Sequence, residues 1–467
     1  MDAMQKEDEA RPRVRGRVLI GSLLGCAVLG GLLMSLLDDP AATRAPAPAQ
    51  GAQALTAVGA GVPAALPDLA VLIDEREARV RAHPGDAQSW AVLGAAYVEQ
   101  GRRTADAAVY YPKAEQALRT SLDVRPEGNA EALDGMAALA NARRDFRAAR
   151  TWGESALKLA PKRWTAYPPL LDAYTGLGDY KATRRTLEKL LELRSGPAVL
   201  ARAAAVYRDQ GRREDAAAAL SDAAAAEAPA EQAAWLERAG QLAWERGDRE
   251  VALRHFRAAL RLDPDQRAAQ AGQGRALAAL GRTSEALGAY RAALAKQPLP
   301  QYALELGELY ESLGLESAAR VQYDLLRERV NQDAAGGVDG ELVLGLSEAD
   351  HGDPQAAVQR LRAEWQRQPG IAVADALGWA LHRAGQDEEA LRFATAATDK
   401  VHGGGVRSAL YAYHRGMIER QLQQSGPARR HLQEALRINP YFSPLHVREA
   451  RAALAELGEP ADEGVPE

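Results

Sequence analysis

A period of 34 residues constrains this chain more than any other feature. Leu236, Gly240, Gly247, Ala252, Phe256, Ala259 and Pro264 return 34 residues later as Gln270, Gly274, Gly281, Ala286, Tyr290, Ala293 and Pro298, and only the first position changes character. A fixed period of this length, with small residues and an aromatic at set offsets and a closing proline, points to stacked helix–turn–helix units. Gly240 and Gly274 fall midway along a first helix, and Ala252 and Ala286 early in a second, so two antiparallel helices can approach to about 8–10 Å. Phe256 and Tyr290, four residues after those alanines, share their helical face and fill the gap to the next unit. Gly247 and Gly281 end the first helix, and Pro264 and Pro298 stop the second.

On these residues the chain resembles the tetratricopeptide repeat family. Trp90-x-x-Leu93-Gly94-x-x-Tyr97 repeats the family's first-helix pattern, and comparable sets extend from there to Pro440. The resemblance covers about 375 of the 467 residues and implies an all-α, TPR-type α-solenoid of about ten repeats, expected over 68–457. A capping helix is expected from Asp68 to Ala82, a last amphipathic helix from Pro444 to Leu457, and an acidic tail over 458–467. Eight extra residues around Thr104 to Tyr111 enlarge the first unit, and loops at Gly336–Gly340 and Lys400–Arg407 break the period near the end.

The N-terminal stretch reads differently. Residues 1–17 carry Lys6, Arg11, Arg13, Arg15 and Arg17, and Val18 to Leu37 follows without a charge or a proline. Such a run is long enough to cross a bilayer as a helix, so a transmembrane helix is expected at 18–37. The basic residues before it, with Asp38 and Asp39 after it, place the N-terminus in the cytoplasm and the repeats outside the cell. The alternatives are a cleaved signal peptide, giving a secreted protein, or a lipid anchor on Cys26, whose Leu23-Leu24-Gly25-Cys26 context resembles a lipobox. Retention is favoured by the length of the run and by its apolar continuation after Cys26. Residues 38–67, rich in Ala and Pro, read as a disordered linker. The excess of Arg over Lys, with abundant Ala, Gly and Pro, resembles membrane-anchored bacterial repeat proteins of actinobacterial type.

No constellation for catalysis is legible. The eight histidines are scattered without metal-ligand spacing and read as solvated or cap residues; Cys26 is the only cysteine. Gly403-Gly404-Gly405 lacks the Lys-Ser/Thr of a phosphate loop. A net charge of −5, with acidic and arginine residues alternating along helix faces, offers no basic face for nucleic acid. A non-catalytic protein without cofactor or metal is therefore expected.

Function then falls to the groove that the resemblance implies. Counting from the Leu-Gly pair of each first helix selects Arg208 and Asp209, then Glu237, Gln241, Trp244 and Glu245, then Arg275, Glu308 and Glu311. Towards the C-terminus the count selects Asp375, Trp379, His382, Arg383, Tyr413, Met417 and Arg420. Trp, Tyr, Met and Arg are enriched at interfaces, so a partner segment is expected across units nine and ten with Trp379 and Tyr413 as anchors. Trp244 and Trp379 could equally pack between helices. One family use is argued against: a clamp for a chaperone's terminal carboxylate needs paired Lys and Asn, whereas the matching positions are Ala201, Ala205, Glu237, Gln241, Ala271 and Arg275. The expected function is a membrane-tethered scaffold or adaptor for a protein or peptide partner. The alternative is a non-catalytic carbohydrate- or lipid-binding module of the cell envelope, with Trp244 and Trp379 as stacking platforms.

Overall fold

The computed structural model describes residues 49–226, 228–399 and 405–458. Among them are twenty-three α-helices, one short 3-10 turn and no strand. Two N-terminal helices, Gln50–Ala60 and Leu66–Ala82, precede ten antiparallel pairs, and His446–Glu456 closes the array. The all-α repeat solenoid is thus observed, and residues from Gln50 onward form one compact unit.

The small residues act as their positions imply. In unit five, Pro229–Glu245 pairs with Arg249–Leu262; in unit six, Arg267–Ala279 pairs with Thr283–Lys296. A Cβ on Gly240 would lie 2.7 Å from the Phe256 ring, and one on Gly274 2.7 Å from the Tyr290 ring. Gly247 and Gly281 end their first helices at φ +82° and +74°, where a side chain would be strained. Ala252, Phe256, Ala286 and Tyr290 are buried in one continuous cluster that runs on to Tyr323 and Leu344.

Unit one departs from expectation. Its extra residues make no separate loop but lengthen both helices, to Ala87–Thr104 and Ala107–Val124. Gly101 therefore lies inside the first helix, against the Tyr111 ring, and the left-handed turn falls to Ala105 at φ +54°.

The expected linker needs a correction where it is described. Gln50–Ala60 is a helix, because Pro46, Pro48, Pro63 and Pro67 flank an Ala-, Gln- and Leu-bearing run without interrupting it. Ala54 is buried, and Ala57, Ala60 and Val62 join an apolar cluster with Ala201, Ala234 and Trp235 of units four and five. The Ala64 N–H donates to Glu99 at 3.3 Å.

The expected single-pass membrane location is also corrected. Among the described residues no helix is long and apolar enough to cross a membrane. The run at 18–37 on which that location rested lies outside the described residues, as do the basic N-terminus and the tail beyond Gly458.

The array curls until distant units meet, in a regular register. The turn inside unit n packs against the connection that follows unit n+5. Gln297 donates to the carbonyl of Arg102 at 2.9 Å, and Arg143 to that of Gly336 at 2.7 Å. The Ile371 N–H donates to the Tyr180 hydroxyl at 3.0 Å. Arg213 donates to the carbonyl of Arg407, and Asn439 to that of Trp244 at 2.7 Å. Both irregular connections, Gly336–Gly340 and the described end of 400–407, thus belong to this seam. Units therefore touch not only their sequence neighbours but also units five places further along.

Candidate functional site

The first helices of units four to ten, with the C-terminal helix, enclose a cavity of about 820 Å³. First helices line it because each second helix turns its small residues inward to its own partner and faces outside. Of the counted groove residues, Arg208, Gln241, Trp244, Glu245, Arg275, Glu308 and Trp379 line this cavity. Glu237, His382, Arg383, Tyr413, Met417 and Arg420 do not. A second cavity of about 380 Å³ shares Arg208, Val406 and Tyr411 with the first and reaches Asp209, Tyr180 and Asp172.

The inner wall is mostly self-paired. Arg208 donates to Glu245 at 2.8 Å, and Gln241 to the same carboxylate at 3.1 Å. Arg275 grips Glu305 through two contacts of 3.1 and 3.0 Å and donates to Gln241. The Tyr290 hydroxyl also donates to Glu305, at 3.0 Å. Asp350 accepts from the Trp379 indole at 3.0 Å and pairs with His446 at 3.4 Å.

Glu308 is the exception. It lines the cavity, and among the described residues its carboxyl makes no hydrogen bond and no ion pair. Burial, opposed by the nearby His446 charge, pushes it up to about 8. Glu237 is likewise raised by burial, and Asp209 is pushed up to about 6 despite the adjacent Arg208.

The C-terminal anchors are corrected. Trp379 is 2% exposed and Tyr413 fully buried, so neither stands free for a partner. Trp379 stacks on His414 at 4.3 Å, and Tyr413 stacks on His446 at 5.1 Å while donating to Glu449. Trp244 is also buried, so packing describes the tryptophans. Met417 packs on this C-terminal core, Arg420 pairs with Glu456, Arg383 lies over Trp379 and pairs with Asp350 at 3.4 Å, and His382 pairs with Asp387. The histidines expected to be solvated are partly structural: His414 is buried and 3.0 Å from Asp375. Burial opposes a charge on His446, but hydrogen bonds to Asp350 and Glu449 raise it to about 10.

Counting missed Glu305, Tyr411, His414 and His446. Glu305 lies one helical turn before Glu308, and a wider stripe would have included it. His446 lies on the closing helix, which no repeat pattern marks as lining anything.

Residues 237–299 and 273–334 match a family model described as tetratricopeptide repeat. Residues 237–334 are thus similar to tetratricopeptide repeats. The matched stretch contains the units that supply Gln241, Arg275, Glu305 and Glu308 to the cavity. Similar solved structures include a human IFIT1 dimer with PPP-AAAA, at 16% identity over 80% of this chain and 85% of that one, TM-score 0.45. The human IFIT1 dimer with m7Gppp-AAAA gives 16%, 79%, 84% and 0.46 in the same order. A tetratricopeptide repeat protein from Parabacteroides merdae ATCC 43184 gives 17%, 56%, 99% and 0.34. No curated protein matches the chain.

Proposed function

We propose that the protein is a non-catalytic scaffold whose first-helix wall holds a segment of a protein partner. One observation carries this reading: the wall already holds a segment of the chain itself. Ala57, Ala60 and Val62 pack into the cluster formed with first-helix residues Ala201, Ala234 and Trp235, well over a hundred residues further on. Beyond that point the same wall opens into the 820 Å³ cavity, within the ~300–1,000 Å³ range of ligand sites. A solenoid suits such a role because successive units offer successive contact positions along one face. The groove residues that remain accessible for it are Arg208, Gln241, Glu245, Arg275 and Glu308. The carbohydrate or lipid alternative loses its support with the burial of Trp244 and Trp379.

Filling the cavity tests the reading. Ala278 lines it and is half-buried, whereas Val321 lies 60% exposed on the outer surface. Ala278→Trp should abolish partner capture by the full chain and Val321→Trp should leave it intact. Equal capture by both variants would remove the cavity from the account.

A further inference from the structure

Four carboxylates line the large cavity, and three of them are already answered: Glu245 by Arg208 and Gln241, Glu305 by Arg275 and Tyr290, Asp350 by Trp379 and His446. Of the arginines on the same wall, Arg208 and Arg275 are answered by those carboxylates and Arg407 by Glu434 at 3.7 Å, whereas Arg451, on the closing helix, donates only to the Pro440 carbonyl and Arg448 has no partner among the described residues. Glu308 alone among the carboxylates has no partner. Glu308 is half-buried and faces the cavity, and a partly desolvated carboxyl left without a hydrogen bond is costly, so an isolated protein keeps it protonated or leaves it for something that arrives. We propose that Glu308 receives the ammonium or guanidinium of a lysine- or arginine-bearing peptide segment in the cavity. This rests on the scaffold reading above and adds the chemistry of the partner.

Charge complementarity selects the occupant. The groups facing Glu308 are Glu305 and Glu311 of its own helix, Asp350 of the helix Glu341–His351, and His446 of the closing helix. Three of these four are acidic, and His446 is held by Asp350 and Glu449, at 3.4 and 3.2 Å. An arriving cation therefore meets an acidic surrounding whose one positive neighbour is already engaged. Beside Glu308 itself a phosphate or carboxylate would meet the reverse, with Arg208 and Arg275 already committed to Glu245 and Glu305. Binding a cation beside Glu308 must also lower its proton affinity, so a proton should leave the protein on binding near neutral pH.

The test uses the full chain immobilised against a pool of short, fully randomised peptides, with a matching pool of short RNA as a second probe. The wild type should retain peptides enriched in Lys and Arg, and Glu308→Gln should retain peptides without that enrichment. A retained peptide should bind the wild type about tenfold or more tighter than the variant. Calorimetry of that peptide in buffers of different ionisation enthalpy should show proton release near pH 7 with the wild type and none with Glu308→Gln. Retained peptides with no charge preference, or with acidic enrichment, overturn the role of Glu308 and leave the scaffold reading standing. Retention of RNA in place of peptides overturns the partner class. Retention of neither pool overturns the scaffold reading and this inference with it.

Discussion

The Arg103 guanidinium and the Asp263 carboxylate, 160 residues apart in the chain, meet at 2.7 Å with both side chains buried. Arg103 sits at the end of unit one's first helix and Asp263 caps the second helix of unit five. The pair lies beside the seam, one connection short of its register, and joins unit one to the connection four units later. Replacing one partner leaves a buried charge unanswered, which costs about 3–5 kcal/mol. Arg103→Ala should lower the urea midpoint by a corresponding amount. A loss no larger than that of an exposed pair, such as Lys189 with Glu192, would contradict the energetic weight of this contact.

The seam also changes how damage spreads. Asn439 is buried, donates to the Trp244 carbonyl at 2.7 Å and accepts from the Tyr441 N–H at 2.9 Å. Asn439→Ala removes this cross-seam donor, although the Trp244 carbonyl still accepts from the Gly247 N–H at 2.9 Å, and deprives the Tyr441 N–H of its acceptor, at a cost of about 1 kcal/mol or more. Amide exchange should accelerate both around 438–446 and around 244–249, although the sequence between them stays protected. Acceleration confined to the C-terminal end would restore a nearest-neighbour solenoid.

Ala252 and Trp379 probe the core at opposite ends of the size scale. Ala252 is fully buried between the helices of unit five, and Ala252→Leu should cost about 1–3 kcal/mol through overpacking. Trp379→Ala should cost about 3–5 kcal/mol, because it empties a buried site and removes the indole donor from Asp350. Thermal denaturation measures both. If Trp379→Ala were neutral for stability yet lost partner binding, Trp379 would be an anchor after all.

Stability should fall as pH rises above neutrality. His446 is raised from 6.5 to about 10, so its contribution is complete below pH 6.5 and lost as pH climbs through about 10. Burial disfavours the Asp350 charge, yet its His446 hydrogen bond brings it from 3.8 down to about 2, so its contribution is complete above pH 3.8 and lost as pH drops through about 2. Glu308, raised from 4.5 to about 8, adds a loss between those values. The melting temperature should therefore peak near pH 4, decline above about 4.5 and decline more steeply above 6.5. Glu308→Gln should flatten the decline up to about pH 8, and an unchanged profile would place its proton affinity near that of an ordinary carboxylate.

Much of this was readable beforehand because the repeat reports on neighbours. Gly240, Ala252 and Phe256 recur at fixed spacing since each touches residues of its own or the next unit, and local contact leaves a local signature. The seam has none. Gln297, Gly336, Gln368 and Asn439 touch residues about 190–220 positions away; of their connections only Gly336–Gly340 breaks the period, and those at Pro298 and Pro440 read as ordinary repeat ends. The groove count placed Arg208, Gln241, Glu245, Arg275 and Glu308 on the cavity because those first helices run regularly. It failed at Tyr413, which the closing helix covers through His446 and Glu449, and it gave no sign that Trp379, though on the cavity wall, is 2% exposed. The linker was misread for a related reason: its composition lacks charge and pattern, and its helix is held by Trp235 and Ala201, far along the chain.

The central claim is that partners bind inside the array. A photoreactive amino acid at Ala279, on the cavity wall, can be compared with one at Val321, on the outer surface, in the full chain exposed to an extract of the cells that make it. The account predicts a discrete partner adduct from Ala279, competed away by the lysine- or arginine-rich peptides, and none from Val321. Adducts from Val321 alone, or adducts at Ala279 indifferent to those peptides, would contradict it.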